Sequence, residues 1–296
     1  MSEPKRTMTR RDFMRIAGSA TIGTAVGVGA MAAETSPSGK RARVVLVRDE
    51  RAVAADGKVN GEVIAEMLDC GLSELLGLSD PVECWRRLVK PSEVVGVKTN
   101  VWRNLPTPPE LEKHIKGRLM EVGLPRSGIL IDDRGARRTL GKCTALVNVR
   151  PVRSHHWSGI GGCIKNMIMF SPRPSAYHPD SCANLGGVWS LPPVKGKTRL
   201  NILLALTPLF YGRGPHHWDP RYVWPYRGIF VSQDPVAVDA LGAHLLQTKR
   251  RLELGGERPV TPTKHIEMAE QRHRLGVSDL KRIDLVKLGW EEDILI

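Results

Sequence analysis

Cysteine is scarce and scattered. The five thiols, Cys70, Cys84, Cys143, Cys163 and Cys182, include no C-x-x-C pair, which excludes the common zinc cages and leaves no iron-sulfur motif in this chain. The odd count leaves at least one thiol unpaired whatever the redox compartment. Long apolar runs are also lacking. The most apolar stretch, residues 16–33, is too short and too glycine-rich to make a convincing membrane span. No internal repeat is visible. Acidic residues are few, 31 against 44 Lys and Arg, for a net charge of +13. Residues 1–39 carry +2 of this (five basic, three acidic), so the rest of the chain carries +11. Such a surplus ordinarily suggests nucleic acid. The chain has no basic helix, zinc finger or interleaving of aromatic and basic residues, which excludes that partner. A small anionic ligand, an envelope polymer or a membrane surface fits better.

The N-terminus carries a targeting pattern. Thr9, Arg10, Arg11, Asp12, Phe13, Met14 and Arg15 form a twin-arginine motif ahead of the Gly/Ala-rich stretch, and Ala30, Met31 and Ala32 offer a small-x-small cleavage site. Residues 1–33 therefore read as a signal for the twin-arginine export machinery, which places the mature protein in the periplasm or cell envelope. Export in the folded state suits chains that acquire a cofactor first. Residues 34–42 read as a polar linker, and residues 43–296 as one large domain.

Within that domain apolar runs alternate with helical patterns. Strand signals fall at residues 44–47, 94–100, 129–131, 145–149, 200–206, 228–231 and 283–286, and helical periodicity at 61–76 with Val63, Ile64, Met67, Leu68 and Leu72 on one face. Asp80-Pro81 and Asp234-Pro235 read as helix starts, an N-cap followed by proline at the first helical position, the second helix running through Leu246. Another helix is expected at 263–274. Repeated strand-helix order predicts an α/β fold, a mostly parallel sheet with helices on both faces, with polar strand ends gathered along one edge where ligands bind.

The segment HHWSGIGGCIKNMIMFSPRPSAYH, residues 155–178, concentrates chemistry. Gly159, Gly161 and Gly162 allow close backbone approach, and the apolar run that follows predicts a short buried helix whose first N–H groups attract an anion. Lys165 sits there as a point charge, or as a nucleophilic amine if burial depresses its pKa. His155 and His156 are candidate acid/base groups, and His178 a candidate metal ligand or second base. On a continuous strand the two adjacent histidines would face opposite ways. Lys98, Asn100, Arg134, Gly161 and Gly162 are the candidate substrate-binding positions, and Arg137, Arg138, Arg150 and Arg153 are further candidates for an anion pocket. His114, His244, His265 and His273 read as helix-surface residues, and His216 and His217 form a second pair. Asp234 reads as a helix cap, with Asp239 on another face of the same helix.

The motifs VVGVKTN (94–100), GIGGCIKNM (159–167), LNILLALTPLFYGRGP (200–215) and SQDPVAVDALG (232–242) resemble the family called domain of unknown function 362. The chain departs from it in having Leu204 where many members have an acidic residue, and in lacking the ferredoxin-like cysteine module of some relatives. A more distant likeness is to the lactate racemase family, carried by His155, Trp157, Gly159, Gly161, Gly162, Lys165 and His178 in that order. It implies that Lys165 tethers a nickel-pincer cofactor, that His178 binds the metal and that His155 moves protons. The leading expectation is an exported enzyme acting on a small carboxylate-like anion, with a metal or tethered organic cofactor as an open question. An oxidoreductase accessory protein and a non-catalytic anion-binding protein of the envelope are the alternatives.

Overall fold

Capping side chains set the starts of three helices, those that begin at Gly61, Pro81 and Pro235. The computed structural model describes residues 40–212, 218–256 and 261–296. The twin-arginine motif, its apolar stretch, residues 34–39 of the expected linker, and His216 and His217 lie outside these residues. The chain enters the fold with β1 (Ala42–Arg48), so Ala42 belongs to the sheet and not to the linker. Asn60 accepts from the N–H groups of Glu62 and Val63 to open α1 (Gly61–Leu76), and Asp80 accepts from Val82 N–H to open α2 (Pro81–Leu88). Next come β2 (Val95–Lys98), α3 (Pro109–Glu121), β3 (Ile129–Asp132), α4 (Ala136–Thr139) and β4 (Ala145–His155). A tight return gives β5 (Gly159–Gly161), followed by the one-turn helices α5 (Cys163–Asn166) and α6 (Pro179–Cys182). The remainder is β6 (Thr198–Leu209), β7 (Gly228–Ser232), α7 (Pro235–Leu254), α8 (Lys264–Gln271) and β8 (Ile283–Gly289). Asp234 caps α7 as expected, its Oδ1 accepting from Val236 and Ala237 N–H while Oδ2 accepts from Val277 N–H at 3.0 Å.

The strands form one sheet in the order β3-β2-β4-β6-β7-β1-β8, with β5 folded back on β4. The pairings of β1 with β8, β2 with β3 and β4, and β4 with β6 are parallel. Strand β7 runs antiparallel between β6 and β1, an insertion that periodicity does not reveal. Helix α1 lies on one face against Val47 and Val231. Helix α7 lies on the other, in a core with Val44, Leu46, Leu203 and Phe230. Residues 41–296 form one compact unit. Among the described residues no helix is long and apolar enough to cross a membrane.

Two departures bear on function. Strand β4 runs past its predicted end at Val149 to His155, and all eleven of its residues are buried. A register shift between Pro151 and Arg153 interrupts its pairing with β6, which carries polar residues into the interior beyond the carboxyl end of the parallel sheet. Helix α7 continues to Leu254 and ends at Gly255 in left-handed backbone at φ 67°.

Candidate functional site: a buried cationic centre

The carboxyl ends of β2, β3 and β4 converge on Lys98, Asp133, Asn148 and Arg150. Lys98 is completely buried; its ammonium pairs with Asp133 Oδ1 and donates to Thr99 O at 2.9 Å and Asn166 Oδ1 at 3.2 Å. These are all the hydrogen bonds an ammonium can donate. Burial pulls Lys98 down to about 8, against the raising effect of Asp133. The second oxygen of Asp133 accepts from Val101 N–H at 3.0 Å and Asn100 Nδ2 at 3.4 Å. Lys98 and Asn100, expected to hold substrate, thus hold Asp133. The buried Oδ1 of Asn100 has no hydrogen-bond partner among the described residues. Arg134 is exposed, as are Arg137 and Arg138.

Asn166, from α5, ties this pair to β4. Its amide donates to Lys98 O, Asn148 Oδ1 and Val149 O, and its Oδ1 accepts from Arg150 as well as Lys98. The N–H groups of Cys163 and Ile164 at the start of α5, expected to attract a ligand anion, donate to the Asp239 carboxylate at 2.6 and 2.8 Å. The chain therefore supplies its own anion there. Gly162 is required at that approach, because a Cβ on it would lie 2.2 Å from Asp239 Oδ1. Burial pushes the Asp239 carboxyl up to about 7, while the two N–H donors and Arg150 oppose the shift. The expectation that Asp239 lies on another helix face than Asp234 holds; its partner is the glycine turn.

Arg150 and Arg153, on β4, are 6% and 5% exposed, and the Nε of each is buried without a partner. Arg150 donates to Asn166 Oδ1 at 3.2 Å, and Arg153 donates weakly to Ser154 O at 3.4 Å while its guanidinium lies 4.4 Å from the Trp102 ring centroid. Both oxygens of Asp133 and both of Asp239 are engaged by other donors, so among the described residues neither guanidinium forms an ion pair with a carboxylate. Burial is the first cause lowering both arginines and Arg150 lowers Arg153 further, while the field of Asp133 opposes the shift in both and that of Asp239 opposes it in Arg150. Gly161, opposite Arg153 in the hairpin, packs closely over this pair: a Cβ on it would stand 3.2 Å from Arg150 Nη2.

Beyond the arginines stands Lys165, 6% exposed. Its Nζ contacts Cys182 Sγ at 3.9 Å and lies 5.9 Å from the Trp157 ring centroid. Burial, then Arg150 and Arg153, pull it down to about 8, with Cys182 opposing. The two histidines do not face opposite ways. Strand β4 ends at His155, and the turn stacks the His155 and His156 rings at 4.8 Å with 15° between planes. Trp157 continues the row, 4.3 Å from His156 and 3.8 Å from His178. His155 is buried, its Nδ1 accepts from Trp157 N–H, and burial with Lys165 and Arg153 nearby drives its pKa far down. His178 falls to about 4 through burial, then Lys165 and His156.

Two features escaped the sequence reading. His265, read as a surface residue of α8, is fully buried with neither ring nitrogen hydrogen-bonded, and burial and then Lys165 lower it to about 3. Asp180, Ser181 and Cys182 have φ of 50°, 53° and 62°, a run of left-handed backbone without glycine that costs about 1–2 kcal/mol per residue. That strained turn delivers Cys182 to Lys165. All five cysteines are free thiols.

Among the described residues no group of three or more His, Cys, Asp and Glu is disposed to hold a metal ion. His178 packs on an indole, and Lys165 faces a thiol and the same indole. Lys165 and His178, which the lactate racemase likeness implies as tether and ligand of a nickel cofactor, thus lie against the same indole ring. The surface clefts between α7 and α8 and between α1 and α3 include none of Lys98, Arg150, Arg153 or Lys165.

Fold and centre together define an α/β protein whose parallel strands deliver more buried cations than carboxylates to one edge. The family model described as Domain of unknown function (DUF362) matches residues 122–244. The family resemblance thus holds from the end of α3 into α7, taking in GIGGCIKNM, the β6 motif and SQDPVAVDALG, with VVGVKTN ahead of it. No curated protein and no solved structure matches the chain.

Proposed function

We propose that this protein is an exported enzyme acting on a small carboxylate-like anion, which Arg150 and Arg153 bind and on which Lys165 acts with the adjoining histidines. One observation carries the reading: two buried guanidiniums form no ion pair with a carboxylate among the described residues. Leaving buried charges unpaired costs several kcal/mol, and a bound anion removes that cost. Acid/base work is supported by a buried amine and imidazoles whose pKa values burial has lowered, gathered beside a strained turn. Such perturbed groups serve catalysis better than simple binding. Redox work finds less support, since the chain offers no cluster ligands of its own.

Isothermal titration calorimetry with acetate, lactate, phosphate and sulfate tests the binding step. The wild type is expected to bind a carboxylate, and Arg150→Met or Arg153→Met to weaken it about 10- to 100-fold, the worth of one charged hydrogen bond. Equal affinity in the variants, or no binding at millimolar concentration, would overturn the assignment. Export rests on the Thr9 to Arg15 pattern. Residues 1–45 fused to a reporter that is exported folded should reach the periplasm, and Arg10→Lys with Arg11→Lys should retain it in the cytoplasm. Export of the doubly substituted fusion would refute the twin-arginine route.

A further inference from the structure

The centre contains two buried lysines in opposite circumstances. Lys98 has a carboxylate, a carbonyl and an amide oxygen on its ammonium. Lys165, nearly as deep, has only a thiol at 3.9 Å and the face of an indole, with two guanidiniums nearby and no carboxylate paired to it. The first is fixed, with all three of its N–H groups engaged. The second is desolvated and beside like charge, the setting that turns a lysine into a nucleophile toward carbonyl carbon.

We propose that Lys165 forms a Schiff base and that the ligand is a small 2-oxo carboxylate, its carboxylate on Arg150 and Arg153 and its carbonyl carbon at Lys165 Nζ. This deepens the anion-site reading and rests on it. A carboxylate next to a carbonyl matches a cationic pair next to a free amine. The neutral amine adds to the carbonyl carbon to give a carbinolamine, one N–H proton passing to the former carbonyl oxygen. The C–O bond then breaks, the second proton leaves with the hydroxyl, and water and a C=N bond result. Nothing is oxidised or reduced. Protons need nearby carriers. His156 and His178 flank Trp157, and buried His265, with two unpartnered ring nitrogens within range of the Lys165 charge, can hold the departing water. Arg153, stacked on Trp102, and Arg150, fixed by Asn166, keep the carboxylate end in place.

The test is reductive trapping on the full chain. The protein is incubated with pyruvate or glyoxylate and sodium cyanoborohydride, then analysed by intact mass and peptide mapping. The expected result is one adduct per chain on Lys165, none on Lys98, loss of that adduct in Lys165→Arg, and at least tenfold slower trapping in Arg150→Met. Excess lactate, which lacks the carbonyl, should slow the wild-type reaction by competition. Circular dichroism verifies the fold of each variant, and the wild-type peptide map identifies the lysine even if Lys165→Arg misfolds. Absence of an adduct, or labelling spread over exposed lysines at equal rates, overturns the proposal. If calorimetry shows arginine-dependent anion binding and trapping fails, the Schiff base falls and the anion site stands. If both fail, both readings fall.

Discussion

Replacing Lys165 by Met should make this protein more stable, and by an amount that depends on pH. The amine falls from 10.5 to about 8 on folding because burial and two arginines disfavour its charge. At about 1.4 kcal/mol per unit, the charged form costs the folded state ~3 kcal/mol. The sign follows from proton counts. Below pH 8 both states carry the proton and the full cost is present; between pH 8 and about 10.5 the native state has released a proton that the unfolded chain keeps, so wild-type stability rises with pH; above that range the cost is gone. Methionine is close to lysine in reach and carries no charge. Lys165→Met should therefore gain ~3 kcal/mol at pH 7, about 6–12 °C in Tm for a domain of this size, with the advantage vanishing by about pH 10.5. Urea unfolding of both proteins from pH 6 to 10.5 is the assay. A destabilised variant, or a gain that does not change with pH, would show that Lys165 is not held as a costly buried cation. A gain in stability accompanied by lost trapping of pyruvate is the pattern expected where function is maintained at the expense of stability.

Other consequences are equally direct. Asp133→Asn strips the carboxylate from Lys98 and should cost about 3–5 kcal/mol in urea unfolding; adding Lys98→Met should recover most of it, and simple additivity of the two losses would show that they do not act as a pair. Gly162→Ala drives a methyl group into Asp239, whose oxygen lies 2.2 Å from the required Cβ position, so a loss above about 2 kcal/mol and weaker amide protection at Cys163 and Ile164 are expected in hydrogen exchange. An unchanged exchange rate at those amides would refute the cap. Ser181→Gly relieves left-handed backbone at φ 53° and should stabilise by up to about 1 kcal/mol in calorimetry. Destabilisation instead would mean that the Ser181 side chain holds the turn.

The fold was legible where local chemistry decides it. Asp80 and Asp234 open the helices expected of them because an N-cap needs only the next two or three residues. Strand direction was not legible: β7 pairs antiparallel with β6 and β1 over residues far apart in sequence, and its apolar run reads the same in either direction. The segment 155–178 is dense in functional groups already in the sequence, but the partners that surround it were not legible, for reasons of range. That Lys98 meets Asp133 and Asn166 depends on contacts 35 and 68 residues away. Asp239 fills the helix start from 75 and 76 residues away. His265 looked superficial because periodicity along α8 cannot reveal what covers the helix.

Arg150 and Arg153 mark the boundary between the two kinds of knowledge. In the sequence they were two members of a basic run with Arg134, Arg137 and Arg138, and the latter three are exposed as a solvated face should be. What separates them is that β4 outlasts its predicted end, so positions that would sit in a loop lie instead in a fully buried strand. The same extension ends at His155 and turns the chain back through Gly161 and Gly162, which places Lys165 behind the arginines. One continuous strand thus delivers unpaired cations and a free amine to one point, while the nearest carboxylates, Asp133 and Asp239, are already committed to Lys98 and to the start of α5. A protein that stabilised only itself would have paired these charges or replaced them with apolar residues. On the function proposed above, an anion arriving from outside would take the place of the missing partners.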